Sequence, residues 1–215
     1  FKTECEKWYG HKIKTIQNKR YKSHFDVISQ TKYINGPIGA RCTKELKKNA
    51  RFDFEKTNKV AAQVWGYEFE INQINRAIRM QEQYPDIAHL FPLIENKLSK
   101  NECAGILNRA GIEIPIMYKL GYNNNNCIGC VKGGAGYWNK IRVDFPQVFK
   151  QMAEAERYTN ATCLKDKNGK IYLDELDHNA GNKNDLIVDE CGIFCQIDFA
   201  HIMSKKTTDI LNGKL

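Results

Sequence analysis

The segment Lys119–Tyr137 constrains the fold more than any other stretch, because little in it suits the interior of a helix. Its four consecutive asparagines, Asn123–Asn126, favour turns and caps by bonding to nearby backbone groups. Its five glycines allow the backbone to approach a bulky or anionic group. Cys127 and Cys130 have the C-x2-C spacing that suits one tetrahedral metal ion or a redox pair. We therefore expect a loop on which other parts of the chain converge.

The chain of 215 residues is long enough for one large domain with a sizeable core. Its apolar runs are far shorter than the roughly 18 residues of a membrane span, and no signal peptide is visible, so we expect a soluble protein without a membrane partner. A net charge of +8 favours anionic partners such as nucleotides, nucleic acid or an acidic protein, although a solvated basic surface is the alternative. Because the chain begins with Phe1, we expect that a further segment precedes it in the gene product.

Eight cysteines are present, and their grouping does not resemble the disulfide framework of a small secreted protein. Two close pairs, Cys127/Cys130 and Cys191/Cys195, stand apart from four scattered cysteines, which favours a reducing, cytoplasmic compartment. The scattered cysteines are Cys5, Cys42, Cys103 and Cys163. We interpret Cys5, Cys103 and Cys163 as small buried residues, with Cys163 as a candidate extra metal ligand.

Predicted strands and helices alternate along the chain, which indicates an α/β domain with a mainly parallel sheet. A helix is predicted to end at Gly10, a strand to follow over residues 11–17, and a buried strand to run from Lys59 to Gly66. Because ligands bind beyond the carboxyl ends of parallel strands, Trp65 and Gly66 are candidates for a nucleotide edge, with simple packing as the alternative. A short helix is predicted within residues 21–34, and a hairpin with its turn at Asp166–Gly169. Further helices are predicted over Arg41–Phe54, over Tyr137–Val143 and over Phe145–Tyr158. One more helix is predicted to begin near Glu68, and another to follow a capping box that starts at Ser99.

Six sequence blocks occur in a characteristic order. They are CTKELKK at Cys42, VWGYEFE at Val64, FPLIENKLSKNECAGILNRAGIEIPIMYKLGYNNNNCIGCVKGG from Phe91, GYWNKIR at Gly136, YLDELDHNAG at Tyr172 and ECGIFC at Glu190. In order and spacing they resemble the phosphoadenosine phosphosulfate (PAPS) reductase-like family of the adenine nucleotide alpha-hydrolase superfamily, especially its uncharacterised bacterial and phage members.

The resemblance implies a doubly wound α/β fold that binds an adenine nucleotide, with a Cys-rich C-terminal extension. We assign residues 1–158 to the α/β domain and residues 159–215 to the extension. Family members open with a strand and a pyrophosphate loop of the form SGGKDS, which this sequence lacks, so we expect it to begin after that loop. The implied activity is either cleavage of ATP between its α and β phosphates, with adenylation and sulfur transfer, or reduction of a sulfonucleotide such as PAPS.

The resemblance also marks Cys191 as a candidate nucleophile towards the sulfonate of PAPS, although Phe194 and Cys195 replace the expected His-Gly ending. A second thiol at Cys195 suits a resolving cysteine or a metal site. We predict that Cys127, Cys130, Cys191 and Cys195 hold zinc or an iron–sulfur cluster; a thiol redox pair and unliganded cysteines are the alternatives. Cys42 resembles the position where cluster-type reductases carry adjacent cysteines, but its neighbour here is Arg41.

Cationic and glycine residues complete the predicted nucleotide site. Lys47, Lys132 and Arg142 are candidates to approach an anionic substrate, together with Gly133 and Gly134, and solvated lysines are the alternative. The alternative is a function of another class. The chain would then be a basic binding module held together by a metal (a metal-stapled module), such as a phage factor, that binds nucleic acid or a protein without catalysis. A homo-oligomer is compatible with either function.

Overall fold

The computed structural model describes residues 1–36 and 39–182, and most of its regular structure is helical. The described chain forms two compact units, the first from residues 1–14 and 55–114 and the second from residues 15–54 and 115–182. The predicted domain boundary after residue 158 falls inside the second unit. Within the described ranges, no helix combines the length and the apolar character needed to cross a membrane.

The elements follow one another in a mostly helical order. The α-helices are α1 (Lys2–Tyr9), α2 (His24–Thr31), α3 (Ala50–Thr57), α4 (Ile71–Gln83), α5 (Pro92–Glu95), α6 (Lys100–Arg109), α7 (Ile116–Lys119), α8 (Ala135–Asp144) and α9 (Pro146–Thr159). The strands are β1 (Ala62–Val64), β2 (Ala88–Leu90), β3 (Leu164–Asp166) and β4 (Gly169–Ile171). A π-helical segment (Thr43–Asn49) leads into α3, and a 3₁₀ turn (Leu173–Glu175) follows β4.

The first unit contains one β-α-β arrangement, in which β1 and β2 pair in parallel and α4 connects them. Ala62 is opposite Ala88, and Val64 is opposite Leu90. The apolar face of α4 is buried, because Ile74 and Ile78 repeat at the spacing of one helical turn.

The predicted doubly wound, mainly parallel sheet is wrong for the described residues, which form two separate sheets of two strands each. Each strand has three residues, and only the β1–β2 pair is parallel. The stretch from Lys59 to Gly66 was predicted as a buried strand, yet Val64 is 67% exposed. The predicted strand over residues 11–17 is also wrong, since these residues form no regular secondary structure and Ile13 is 43% exposed.

Predictions that rest on local capping and turn chemistry are confirmed. Gly10 ends α1 with a φ of 76°, in the left-handed region that favours glycine. Ser99 and Glu102 form the predicted capping box at the start of α6. Pro146 occupies the first turn of α9, and β3 and β4 form the predicted hairpin.

The second unit is built around α9, which packs against α2, α8 and the 3₁₀ turn. Its core contains Trp138 and Ile141 of α8, Met152 of α9 and Leu173, all of which are fully buried. The core therefore joins two consecutive helices to the segment that follows the β3–β4 hairpin.

Two polar side chains attach that segment to the helices. Glu156 of α9 is fully buried, and its two carboxylate oxygens accept the backbone N–H groups of Cys163 (2.6 Å) and Leu173 (2.7 Å). Arg142 of α8 donates to the carbonyl oxygens of Leu173 (3.2 Å) and Leu176 (2.9 Å). Because buried polar groups are costly when unpaired, these contacts fix where the hairpin and the 3₁₀ turn meet the helices.

A carboxylate at the end of α8 makes the stability of the second unit dependent on pH. Oδ2 of Asp144 accepts hydrogen bonds from Tyr122 (2.8 Å) and Lys140 (2.8 Å). Burial acts to raise the pKa of Asp144, but these two donors outweigh it and hold the pKa below its usual value. The contribution of Asp144 is thus present above the unfolded-state pKa and is lost as the pH falls below about 5.

We predict that Asp144→Asn lowers the free energy of unfolding by about 1 kcal/mol near pH 7 and that the difference from the wild type shrinks towards pH 3. Urea unfolding followed by circular dichroism between pH 3 and pH 7 measures this difference. Glu154→Gln is the matched control, because its ion pair with Lys150 is exposed and long, at 4.0 Å. A difference that stays constant or grows towards low pH would contradict the assignment.

Candidate thiol site

The loop that carries Cys127 and Cys130 is held by a side chain from the helix that follows it. Tyr137, in the first turn of α8, donates its hydroxyl hydrogen to the carbonyl oxygen of Cys127 (3.2 Å). The same hydroxyl oxygen accepts the backbone N–H of Cys130 (2.9 Å). One buried phenol thus fixes the backbone at both ends of the C-x2-C sequence.

Two glycines of this loop are required by close packing. Gly129 has a φ of +75°, and a Cβ there would lie 2.6 Å from Cγ1 of Val148. A Cβ on Gly133 would overlap the ring of Tyr137 at Cδ1. Gly133 was predicted to approach an anionic ligand. In the structure, its missing side chain leaves space for the ring of Tyr137. Gly134 precedes α8 as its N-cap residue, without a side-chain cap.

Cys42 and Cys163 reach the same part of the second unit from other segments. Cys42 immediately precedes the π-helical segment, and Cys163 immediately precedes β3. Both pack, with Cys130, against the hydrophobic core that contains Trp138 and Met152. π-Helical turns are frequent at functional sites, so the π-helical backbone that follows Cys42 supports a functional role for this region.

The four cysteines form what we call the thiol cluster, namely Cys42, Cys127, Cys130 and Cys163. Burial raises the pKa of Cys130, and Cys127 raises it further. Burial likewise raises the pKa of Cys42, with added contributions from Cys130 and Cys127. For Cys163, burial and Glu156 raise the pKa most, followed by Cys130 and Cys42. Each thiol therefore lies within electrostatic range of at least one other in the cluster.

The thiols influence one another electrostatically but are not arranged as a metal site in the described part of the chain. Among residues 1–36 and 39–182, no group of three or more His, Cys, Asp or Glu side chains is positioned to hold a metal ion. Six cysteines in these ranges are free of disulfide bonds. The predicted ligands Cys191 and Cys195, with the candidate nucleophile Cys191, lie outside the described residues. Chemically, a set of four thiols fits zinc or an iron–sulfur cluster.

Two predicted cationic residues lie beside the thiol cluster. Lys132 and Lys47 both act to lower the pKa of Cys130, and Lys132 does the same for Cys42. Positive charge is thus close enough to favour thiolates or a bound anion.

Other predicted site residues have different surroundings. Arg142 directs its guanidinium to the backbone of Leu173 and Leu176, which is a structural role. Trp65 and Gly66 belong to the first unit, where the indole N–H of Trp65 donates to Nδ1 of His89 (3.1 Å). A Cβ on Gly66 would meet no atom within 4 Å, so packing does not require glycine there.

Sequence reasoning underestimated Cys42 and missed His24. The His24 imidazole is largely buried beside Gly129, with Nε2 3.7 Å from the position of a Cβ on that glycine. Burial lowers the pKa of His24. No sequence motif links Cys42 or His24 to the loop at Cys127, because both residues lie far from Cys127 along the chain.

Comparison of the chain with protein-family models, with curated proteins and with solved structures gives no match. The resemblance to the PAPS reductase-like family therefore rests on the six sequence blocks and stays a prediction.

We predict that Gly133→Ala lowers the free energy of unfolding by about 1–3 kcal/mol, because the added methyl group overlaps the Tyr137 ring. Urea denaturation measures the change. The control is Gly105→Ala within α6, where the nearest atom to a new Cβ is Nη1 of Arg109 at 3.4 Å. This control should be neutral or stabilising by about 0.5–1 kcal/mol. Equal stability of the two variants would show that the loop does not need the close approach at Gly133.

Proposed function

We propose that the protein is an enzyme that acts on an adenine nucleotide, ATP or PAPS, beside a thiol-bound metal centre. The observation that carries this proposal is that Lys47 and Lys132 are within electrostatic range of Cys130, on the loop that the Tyr137 hydroxyl holds at Cys127 and Cys130. Two ammonium groups beside a group of thiols provide charge for the phosphate or sulfonate of a nucleotide. The free cysteines support a reducing, cytoplasmic compartment as part of the same proposal.

The chemistry depends on which nucleotide binds. With ATP, an acceptor such as a nucleic acid would attack the α-phosphorus, and pyrophosphate would leave, which gives an adenylated acceptor ready for sulfur transfer. With PAPS, a thiolate would attack the sulfonate sulfur and displace adenosine 3′,5′-bisphosphate, which gives an S-sulfonated cysteine. A second thiol, as reductant, would then attack the sulfur of that cysteine, form a disulfide and release sulfite. In both reactions the lysines would hold negative charge near the reacting group.

The metal of the proposed centre is zinc or an iron–sulfur cluster. Cys127 and Cys130 supply one pair of ligands, since Tyr137 already fixes the backbone at both residues. Zinc bound to four thiolates would be structural, whereas a cluster absorbs visible light. Elemental analysis and an absorption spectrum of anaerobically purified protein separate these metals.

A second candidate function is favoured by the small size of the parallel sheet in the described residues. In the described residues the parallel sheet is limited to β1 and β2, so the long strand edge at which doubly wound proteins bind nucleotides is missing from this part of the chain. A metal-stapled basic module that binds nucleic acid or an acidic protein needs no such edge. Nucleotide binding by the wild-type protein decides between the two functions.

We predict that Lys132→Ala weakens the binding of ATP or PAPS by about tenfold or more, because a hydrogen bond to a charged group contributes about 1.5–3 kcal/mol. Isothermal titration calorimetry with each nucleotide measures the affinity. Lys167→Ala is the control, since Lys167 is exposed in the β3–β4 turn. If neither nucleotide binds the wild type, these 215 residues do not hold the nucleotide by themselves, and the basic module is favoured for them.

If PAPS is the substrate, we predict that Cys191→Ser abolishes sulfite release while it leaves the far-ultraviolet circular dichroism spectrum unchanged. Sulfite is measured after incubation with PAPS and a dithiol reductant, and Cys103→Ser serves as the control. Retained sulfite release in the Cys191 variant would contradict the assignment of Cys191 as nucleophile.

A further inference from the structure

We propose that the first unit binds single-stranded nucleic acid through a surface that we call the aromatic-basic surface, formed by Lys7, Trp8, Tyr9, His11 and Lys12. This surface belongs to a different unit from the thiol cluster. Single-strand binding there goes beyond the proposed nucleotide chemistry and does not require it.

Two large aromatic side chains at the end of α1 face solvent. Trp8 is 60% exposed and Tyr9 is 68% exposed, and no residue of α1 is buried. Isolated exposed apolar side chains are common on soluble proteins, whereas adjoining ones mark interaction sites. The ring of His11 lies beside that of Tyr9, with the ring centroids 5.2 Å apart and an angle of 66° between the ring planes. Trp8, Tyr9 and His11 therefore offer ring faces on which planar groups can stack.

One carboxylate holds the backbone that follows α1 against the helix. Gly10 ends α1 in the left-handed region, and the backbone N–H of Ile13 then donates to Oε1 of Glu6 (2.8 Å). Nζ of Lys12 lies 3.6 Å from Oε2 of the same carboxylate. His11 and Lys12 are thus kept close to the end of the helix. Because the backbone is ordered before a ligand arrives, less conformational entropy is lost on binding.

The charge that residues 1–14 expose to solvent is positive. All four lysines of this stretch are exposed, whereas its two acidic residues, Glu4 and Glu6, are partly buried. The Lys12 side chain is 91% exposed although it pairs with Glu6, and such an exposed ion pair is weak enough to yield to a phosphate group. Cations beside aromatic rings are the combination with which proteins hold single-stranded nucleic acid without sequence preference.

The composition of α1 favours nucleic acid over a lipid surface. A helix that lies in a membrane interface needs a large apolar face, and α1 contributes only Cys5, Trp8 and Tyr9 to such a face. The other five of its eight residues are polar or charged. A single strand leaves its base faces open to stacking, whereas the bases of a duplex are covered by their neighbours. The expected ligand is therefore a single strand, held by its bases and its phosphates.

We predict that Trp8→Ala weakens single-strand binding by about 5–100-fold, which is the range expected when one stacked base loses its aromatic partner. Trp8→Phe should keep most of the affinity, because a phenyl ring can still stack. Fluorescence anisotropy with a labelled single strand of about 20 nucleotides measures the affinity. Since α1 contains no buried residue, these variants should fold, and circular dichroism checks this. The matched control is Tyr158→Ala, which removes an aromatic ring that is 62% exposed in the second unit.

A change of salt concentration tests the basic part of the surface. Lys7→Ala and Lys12→Ala should each weaken binding and reduce the slope of the logarithm of the binding constant against that of the salt concentration by about 0.7. Lys167→Ala, in the β3–β4 turn, should change neither quantity.

Tryptophan fluorescence adds a signal that phosphate contacts alone would not produce. Trp138 has no exposed surface, and Trp65 is partly buried, so a base that stacks on Trp8 should quench the fluorescence of the wild type. Trp8→Phe should lose most of this quenching while it still binds the strand.

Four results would overturn the proposal. They are a wild-type protein that binds no single strand at about 50 mM salt, unchanged affinity in Trp8→Ala, equal affinity for a duplex without quenching, and Trp8-dependent binding to phosphatidylserine vesicles in place of the strand. Titrations with ATP and PAPS are scored separately. A protein that binds the single strand but neither nucleotide would count against the proposed enzyme and leave the aromatic-basic surface intact.

Discussion

The second unit depends on the hydrogen bonds that the buried carboxylate of Glu156 accepts from two backbone amides. A charged group with no exposed surface is costly unless its oxygens are paired, and here the amides of Cys163 and Leu173 pair with both. Burial raises the pKa of Glu156, and the two amides act against it. Because one carboxylate accepts both amides, it positions Cys163, before the hairpin, and Leu173, after it, against the same point of α9.

The Tyr137 hydroxyl plays a comparable part for the loop. A loop with four asparagines and several glycines has a large conformational entropy to lose when it is ordered. One phenol that contacts both Cys127 and Cys130 orders the C-x2-C sequence with a single side chain already held in the core. This arrangement requires glycine at position 133, because the side chain of any larger residue would overlap the Tyr137 ring.

Local chemistry was predictable from the sequence, and long-range pairing was not. Gly10, the Ser99 capping box and Pro146 act within one turn of helix, so their effects follow from neighbouring residues. Strand length depends on partners elsewhere in the chain, which is why the alternating residues 11–17 form no strand and the apolar stretch before Gly66 supplies only β1. The placement of Cys42, Cys130 and Cys163 has the same origin, since segments distant in sequence pack them against a common core.

Charge connects the proposed metal centre with the proposed nucleotide. Four thiolates around a zinc ion leave a net charge of about −2, which would repel the phosphates of ATP or PAPS. Lys47 and Lys132 lie beside Cys130, where they reduce this repulsion and can also contact an anion. The same lysines would also stabilise metal-bound thiolates when no nucleotide is bound. Only the enzyme requires that the lysines become less accessible when ATP or PAPS is added, and this requirement separates nucleotide recognition from charge compensation.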